Sequence, residues 1–255
     1  MKRLLSLLLM ILLLGGLAVP SLYFFYAKDL PDLESSGAIL KNVARTIETQ
    51  RQVIAPTGQH PDAWRFDLIP VGKLPKHLVN AVVAVDACFD YVGSKKELGY
   101  PRLRRIMKRW LQRDVSGAGA QACQLRYADQ IVLAIGIVDP MRGSIADAKI
   151  LDALTVDELL AYRINTVYFA EGVIGAQDGS RKLFKKDLAQ LELGQIAELV
   201  AAEGYFQWFL RCQNPGKLKL FRDAILDRME AFKLLGQAEA KAARGKQVSC
   251  SFKPD

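Results

Sequence analysis

The chain has 255 residues, 51% of them hydrophobic, enough for one domain of about 200 residues with a sizeable core and accessory ends. Its net charge of +8 is modest and uneven: Lys95, Lys96, Arg102, Arg104, Arg105, Lys108, Arg109 and Arg113 face Glu97 alone in one short stretch. With only His60 and His77, and with no C-x-x-C pair among Cys88, Cys123, Cys212 and Cys250, no zinc site is expected.

Met1-Lys2-Arg3 is a short basic start, and from Leu4 to Tyr26 only Ser6 and Ser21 interrupt an apolar run that also holds Gly15, Gly16 and Pro20. A run of that length spans a hydrocarbon layer of roughly 30 Å, and no A-x-A-like exit follows it. The expectation is an uncleaved single-pass anchor over residues 1–27. Charge asymmetry puts Met1 in the cytoplasm and the chain from Lys28 onward outside. That places the four cysteines in an oxidising space where disulfides are allowed, although spacing cannot pair them. The basic stretch then suits anionic lipid head groups or pyrophosphate better than nucleic acid, with a solvated helix face as the alternative.

Residues 28–70 read as a linker and small N-terminal subdomain. Asp29-Leu30-Pro31-Asp32-Leu33-Glu34 is extended and acidic, Gly37 to Arg51 forms a short helix, and Trp64 to Ile69 alternates as a short strand. Helical periodicity dominates the next unit, 71–235. Pro75 suits the first turn of a helix reaching about Phe89, which delivers Asp86 near its end. Leu103, Ile106, Met107, Trp110 and Leu111 mark an amphipathic helix with arginines on its other face. Gln121 to Val138 reads as an apolar helix stopped at Asp139-Pro140. Thr155-Val156-Asp157-Glu158 has capping-box spacing and opens a helix to about Tyr168. Leu191 to Ala202 and Pro215 to Leu235 supply two more, the last with Leu218, Phe221, Ile225, Met229 and Phe232 on one face. Residues 236–255 read as a frayed helix and loose tail. The fold class is mainly α.

Four blocks carry a family resemblance. Leu74-Pro75-Lys76-His77-Leu78-Val79-Asn80-Ala81-Val82-Val83-Ala84-Val85-Asp86 resembles I-P-x-H-L-I-N-A-V-I-A-x-E-D-x-x-F of the family 51 glycosyltransferases, the peptidoglycan polymerases. Thr155 to Ala170 resembles S-K-x-E-I-L-E-x-Y-L-N-x-x-x-F-G, Leu191 to Ala201 resembles L-T-x-x-E-A-A-x-L-A-G, and Asn214-Pro215 matches a late N-P. The resemblance runs from about Leu30 to Leu235. It implies a lysozyme-like helical domain on a membrane anchor, at the outer face of a bacterial cytoplasmic membrane. The partners implied are a lipid-linked disaccharide-peptide or a glycan strand, the membrane, and other envelope proteins. No cofactor is implied beyond a divalent cation.

The family's reaction uses a Glu base on an acceptor sugar hydroxyl and cationic groups for a leaving lipid pyrophosphate. Asp86 stands at the base, one methylene short, with Ala87 at the following Asp. The pattern G-G-S-T-I-T-Q-Q-L becomes Gly117-Ala118-Gly119-Ala120-Gln121-Ala122-Cys123-Gln124-Leu125, without its hydroxyls. The second carboxylate falls on Gly143 in the gap-free register, with Asp152 as the gapped alternative. The residues left to hold substrate are Gln124, Lys95, Lys96, Arg102, Arg105, Lys108 and Arg109. Cys88 and Cys123 fall at motif positions that face one cleft in the family; a bond between them is open, and two buried free thiols are the expected state. The activity expected is a divergent polymerase, or an inactive descendant that binds glycan, precursor or an envelope protein.

Overall fold

The computed structural model describes residues 21–54, 66–88, 120–170, 173–203 and 214–249. The apolar run to Pro20, the basic segment and its amphipathic helix, Trp110, Gly117, Cys212 and Cys250 lie outside the described residues. Among the described residues no helix is long and apolar enough to cross a membrane.

The chain is mainly α. Its helices are α1 (Ser36–Ile54), α2 (Lys76–Val85), α3 (Ala120–Ala134), α4 (Pro140–Ala153) and α5 (Val156–Asn165), followed by α6 (Ala176–Phe184), α7 (Leu193–Ala201), α8 (Pro215–Ala231) and α9 (Gln237–Gly245). Between α5 and α6 sits an antiparallel ribbon of β1 (Tyr168–Ala170) and β2 (Val173–Ile174), too short for its alternation to show in the sequence. The helices fall into two groups. In one, α2, α7, α8 and α9 pack together; in the other, α3 packs on α1, α4 and α5. Helix α6 touches both, through α5 and α7.

Helix α2 is buried almost all round, with Leu78, Asn80 and Ala81 to Ala84 covered, as an uninterrupted apolar run requires. It stops at Val85, and Asp86 is its C-cap. Helix α5 begins on the capping box expected from Thr155 and Glu158, both reciprocal bonds being present, and Ser36 of α1 donates to the same Glu158 at 2.6 Å. It ends at Asn165, not Tyr168. Asn165 accepts from the Ile69 N–H and donates to the Ile69 carbonyl, so it clips residues 66–70 to the end of α5. That clip stands where the strand was expected: residues 66–70 are irregular, and no strand among the described residues supplies a ladder to them.

Helix α3 ends at Ala134, short of the expected stop at Asp139-Pro140, which instead starts the next helix. After α3 the chain turns at Gly136 (φ +87°), and Asp139 then caps α4 by accepting from Met141 N and Arg142 N with Pro140 in the first turn. The far end of the chain is a further correction. Helix α9 buries Ala240 and Ala243, and Arg222 of α8, fully buried, donates to the Lys246 and Arg244 carbonyls. Glu198 of α7 lies 3.6 Å from Arg222 and accepts from Ser249 N. Residues 237–249 are therefore packed structure, not a loose tail. Phe221, expected on the buried face of α8, is 46% exposed, while Arg222 takes the interior position beside it.

Candidate functional site

Asp86, at the end of α2, meets Arg163, in the last turn of α5, across the seam between the two helical groups. Arg163 Nε donates to Asp86 Oδ2 at 3.0 Å and Nη2 to Oδ1 at 3.3 Å, a two-point clamp on one carboxylate. The same Nη2 donates at 2.6 Å to Oε2 of Glu203, two residues past the end of α7. Arg163 is buried, with 6% side-chain exposure, and Asp86 and Glu203 are largely covered, at 10% and 13%. One guanidinium thus serves two carboxylates, and the cluster is one charge negative when both are ionised. Burial, helped by the neighbouring Asp86, holds the Glu203 carboxyl above the usual range despite the lowering by Arg163. Burial also works against the charged form of Arg163, but Glu203 and then Asp86 outweigh it and hold the guanidinium firmly protonated.

Two more links cross the same seam. Cys88, just beyond Asp86, is disulfide-bonded to Cys123 of α3. This corrects the expectation of two buried free thiols: the end of α2 and the start of α3 are brought together closely enough to pair them. Arg126 of α3 also donates to the Asp86 carbonyl at 2.8 Å. Asp86 is therefore fixed at both backbone and side chain.

Beside the seam opens a cleft of about 570 Å³. Arg163 and Glu203 line it; its other walls are amide and hydroxyl side chains, Gln50, Gln130 and Thr166, and apolar surface such as Leu133 and Ile174. Asp86 is not among the lining residues. Gln124 is 4% exposed, and its Oε1 has no partner among the described residues. Gly143 is buried in α4, where an added Cβ would meet Val132 at 3.6 Å, and Asp152 on the same helix is exposed. Neither stands as a second carboxylate in this cluster. That place belongs to Glu203. The substrate-holding candidates Lys95, Lys96, Arg102, Arg105, Lys108 and Arg109 lie outside the described residues.

Residues 119–230 match the transglycosylase family. This match and the relatives below support a family 51 glycosyltransferase. It is 27% identical over 230 residues to penicillin-binding protein 1A of Streptococcus pneumoniae, covering 89% of this chain and 31% of that protein. To a Cupriavidus necator protein named "Putative transglycosylase" it is 28% identical over 197 residues, covering 76% of this chain and 83% of the other. Penicillin-binding protein 1A of Vibrio cholerae is 24% identical over 260 residues, 97% of this chain and 30% of the relative. The chain thus spans about a third of the penicillin-binding relatives.

Arg163 and Glu203 fall inside the matched transglycosylase stretch, and Asp86 before it. Sequence reading missed both. In the block resembling S-K-x-E-I-L-E-x-Y-L-N, Arg163 occupies the place of the pattern's Tyr and Ala161 that of its second Glu. An arginine inside the apolar run Leu159 to Ile164 was the available signal, since such a residue is buried only with a partner. For a divalent cation the Asp86–Arg163–Glu203 cluster is a poor fit: the guanidinium already bridges its two carboxylates, so no step is assigned to a metal. Among the described residues no group of three or more acidic, His or Cys side chains could hold one.

Proposed function

We propose that this chain binds the lipid-linked disaccharide-peptide precursor of peptidoglycan, or the glycan made from it, at the outer face of the cytoplasmic membrane, and does not polymerise it. The observation that carries this reading is the state of Asp86. A general base must come within about 2.6–3.2 Å of the hydroxyl it deprotonates. Both Asp86 oxygens are instead spent on Arg163, the side chain is 10% exposed, and the cleft wall next to it is made by Arg163 and Glu203. Freeing Asp86 would leave a buried guanidinium short of a partner, which is costly.

The cleft itself is retained, with amides, a hydroxyl and apolar surface suited to a ligand that is part polar and part apolar. The apolar run at residues 4–26 supports the membrane location. The same logic supports a partnership with other envelope proteins, through a scaffold that keeps its shape after losing its chemistry.

The test is retention of labelled lipid-linked disaccharide-peptide by the full chain in detergent. Saturable binding is expected, weakened by Gln130→Ala in the cleft wall. Absence of saturable binding of both precursor and glycan strands defeats the proposal.

A further inference from the structure

We propose that the Arg163–Glu203 edge of the cleft is a site for uncharged sugar, with Glu203 Oε1 and Arg163 Nη1 as its acceptor and donor, and not a site for the pyrophosphate end of a precursor. The inference rests on the reading above and names the part of the ligand this cleft takes.

The donors and acceptors decide it. Arg163 spends Nε and Nη2 on Asp86 and Glu203, and Nη1 has no partner among the described residues. Glu203 gives Oε2 to Arg163, and its Oε1 has no partner among the described residues. Both residues line the cleft. A sugar hydroxyl donates one hydrogen bond and accepts others, so it satisfies an Oε1 acceptor and an Nη1 donor together. An acetamido group does the same with its N–H and C=O. The oxygens of a precursor's pyrophosphate diester have no proton to give at neutral pH, and one of them would sit against an unpaired carboxylate oxygen.

The charge balance points the same way. Among the described residues lining the cleft, Arg163 is the sole cation, and its guanidinium is already shared between Asp86 and Glu203. Pyrophosphate brought there would have to compete with those two carboxylates for it. Neutral sugar meets no such penalty. Gln50 and Gln130 add planar amides, and Leu133, 59% exposed, adds an apolar surface for the C–H face of a pyranose ring.

Glu203 is a binding residue in this proposal, and substitution by Gln keeps its volume. The experiment titrates the full chain with an N-acetylglucosamine tetrasaccharide, alone and in the presence of inorganic pyrophosphate. The wild-type chain is expected to bind the tetrasaccharide, and pyrophosphate not to displace it. Glu203→Gln should weaken binding about tenfold, the scale of a hydrogen bond to a charged acceptor. Displacement by pyrophosphate, or unchanged affinity in Glu203→Gln, overturns the inference. Binding of the lipid-linked precursor without binding of the tetrasaccharide also overturns it and leaves the proposed function standing. If neither ligand binds, both fail.

Discussion

Replacing Arg163 with methionine keeps most of the aliphatic stem and removes the charge that two buried carboxylates share. In the native chain Arg163 makes contacts of 3.0 and 3.3 Å to Asp86 and 2.6 Å to Glu203, all at side chains no more than 13% exposed. Solvent screens little at such depth, and removing one partner of a buried pair costs about 3–5 kcal/mol. With a urea m-value of about 2 kcal/mol/M, the denaturation midpoint should fall by about 2 M. The loss should also depend on pH. Burial already raises the folded Glu203 carboxyl above its unfolded value, and without Arg163 nothing opposes that burial. A group raised in the folded state contributes stability at low pH that is lost as pH rises through its folded value. Arg163→Met should therefore be least damaging in mild acid and most damaging at neutral pH, and adding Glu203→Gln should recover part of the loss. A variant within about 1 kcal/mol of wild type, with a parallel pH profile, would refute the reasoning, because the cluster would then be solvated in a way its exposure denies.

Other outcomes follow from the same structure. Cys88 and Cys123 are separated by 35 residues in sequence, so Cys88→Ala with Cys123→Ala should cost about 4 kcal/mol by loop entropy, read by urea denaturation, and reductant should destabilise only the wild type. Gly179→Ala would place a Cβ 2.7 Å from the buried Phe169 ring, and should lower stability by about 1–3 kcal/mol in thermal melts. In the wild-type chain Glu203→Gln should flatten part of the fall in stability between mild acid and neutral pH. Only part is expected, because Glu198 is also held above the usual range by burial. An unchanged profile would remove Glu203 from the titrating groups.

The elements legible in the sequence were those whose signal is local. The apolar run of α2, the Thr155-x-x-Glu158 box and the periodic faces of α7 and α8 each announce a helix within a dozen residues. Helix α4 was hidden because Asp139-Pro140 was taken only as a stop, although an Asp before a Pro is equally an N-cap and a first turn. Phe221 was expected inside because hydrophobicity ranks Phe as interior, and it is exposed. Arg222 is interior because it closes five polar contacts across α7, α8 and the C-terminal segment.

The site was half legible. Asp86 stood out at the end of its helix, and the missing motif hydroxyls were plain. Its partners were not, since Arg163 is 77 residues away and Glu203 a further 40. No periodicity joins residues at such separations; only tertiary packing does. The disulfide was hidden for a related reason: four cysteines allow three full pairings, and spacing does not choose among them.

The most direct measurement is polymerisation of labelled lipid-linked disaccharide-peptide by the full chain, run beside Asp86→Asn. If Arg163 has taken Asp86 out of the cleft, the chain binds precursor or glycan and makes no polymer, with or without the substitution. Polymer made by the wild type and abolished by Asp86→Asn would contradict the account, because it would make Asp86 a working base despite its clamp.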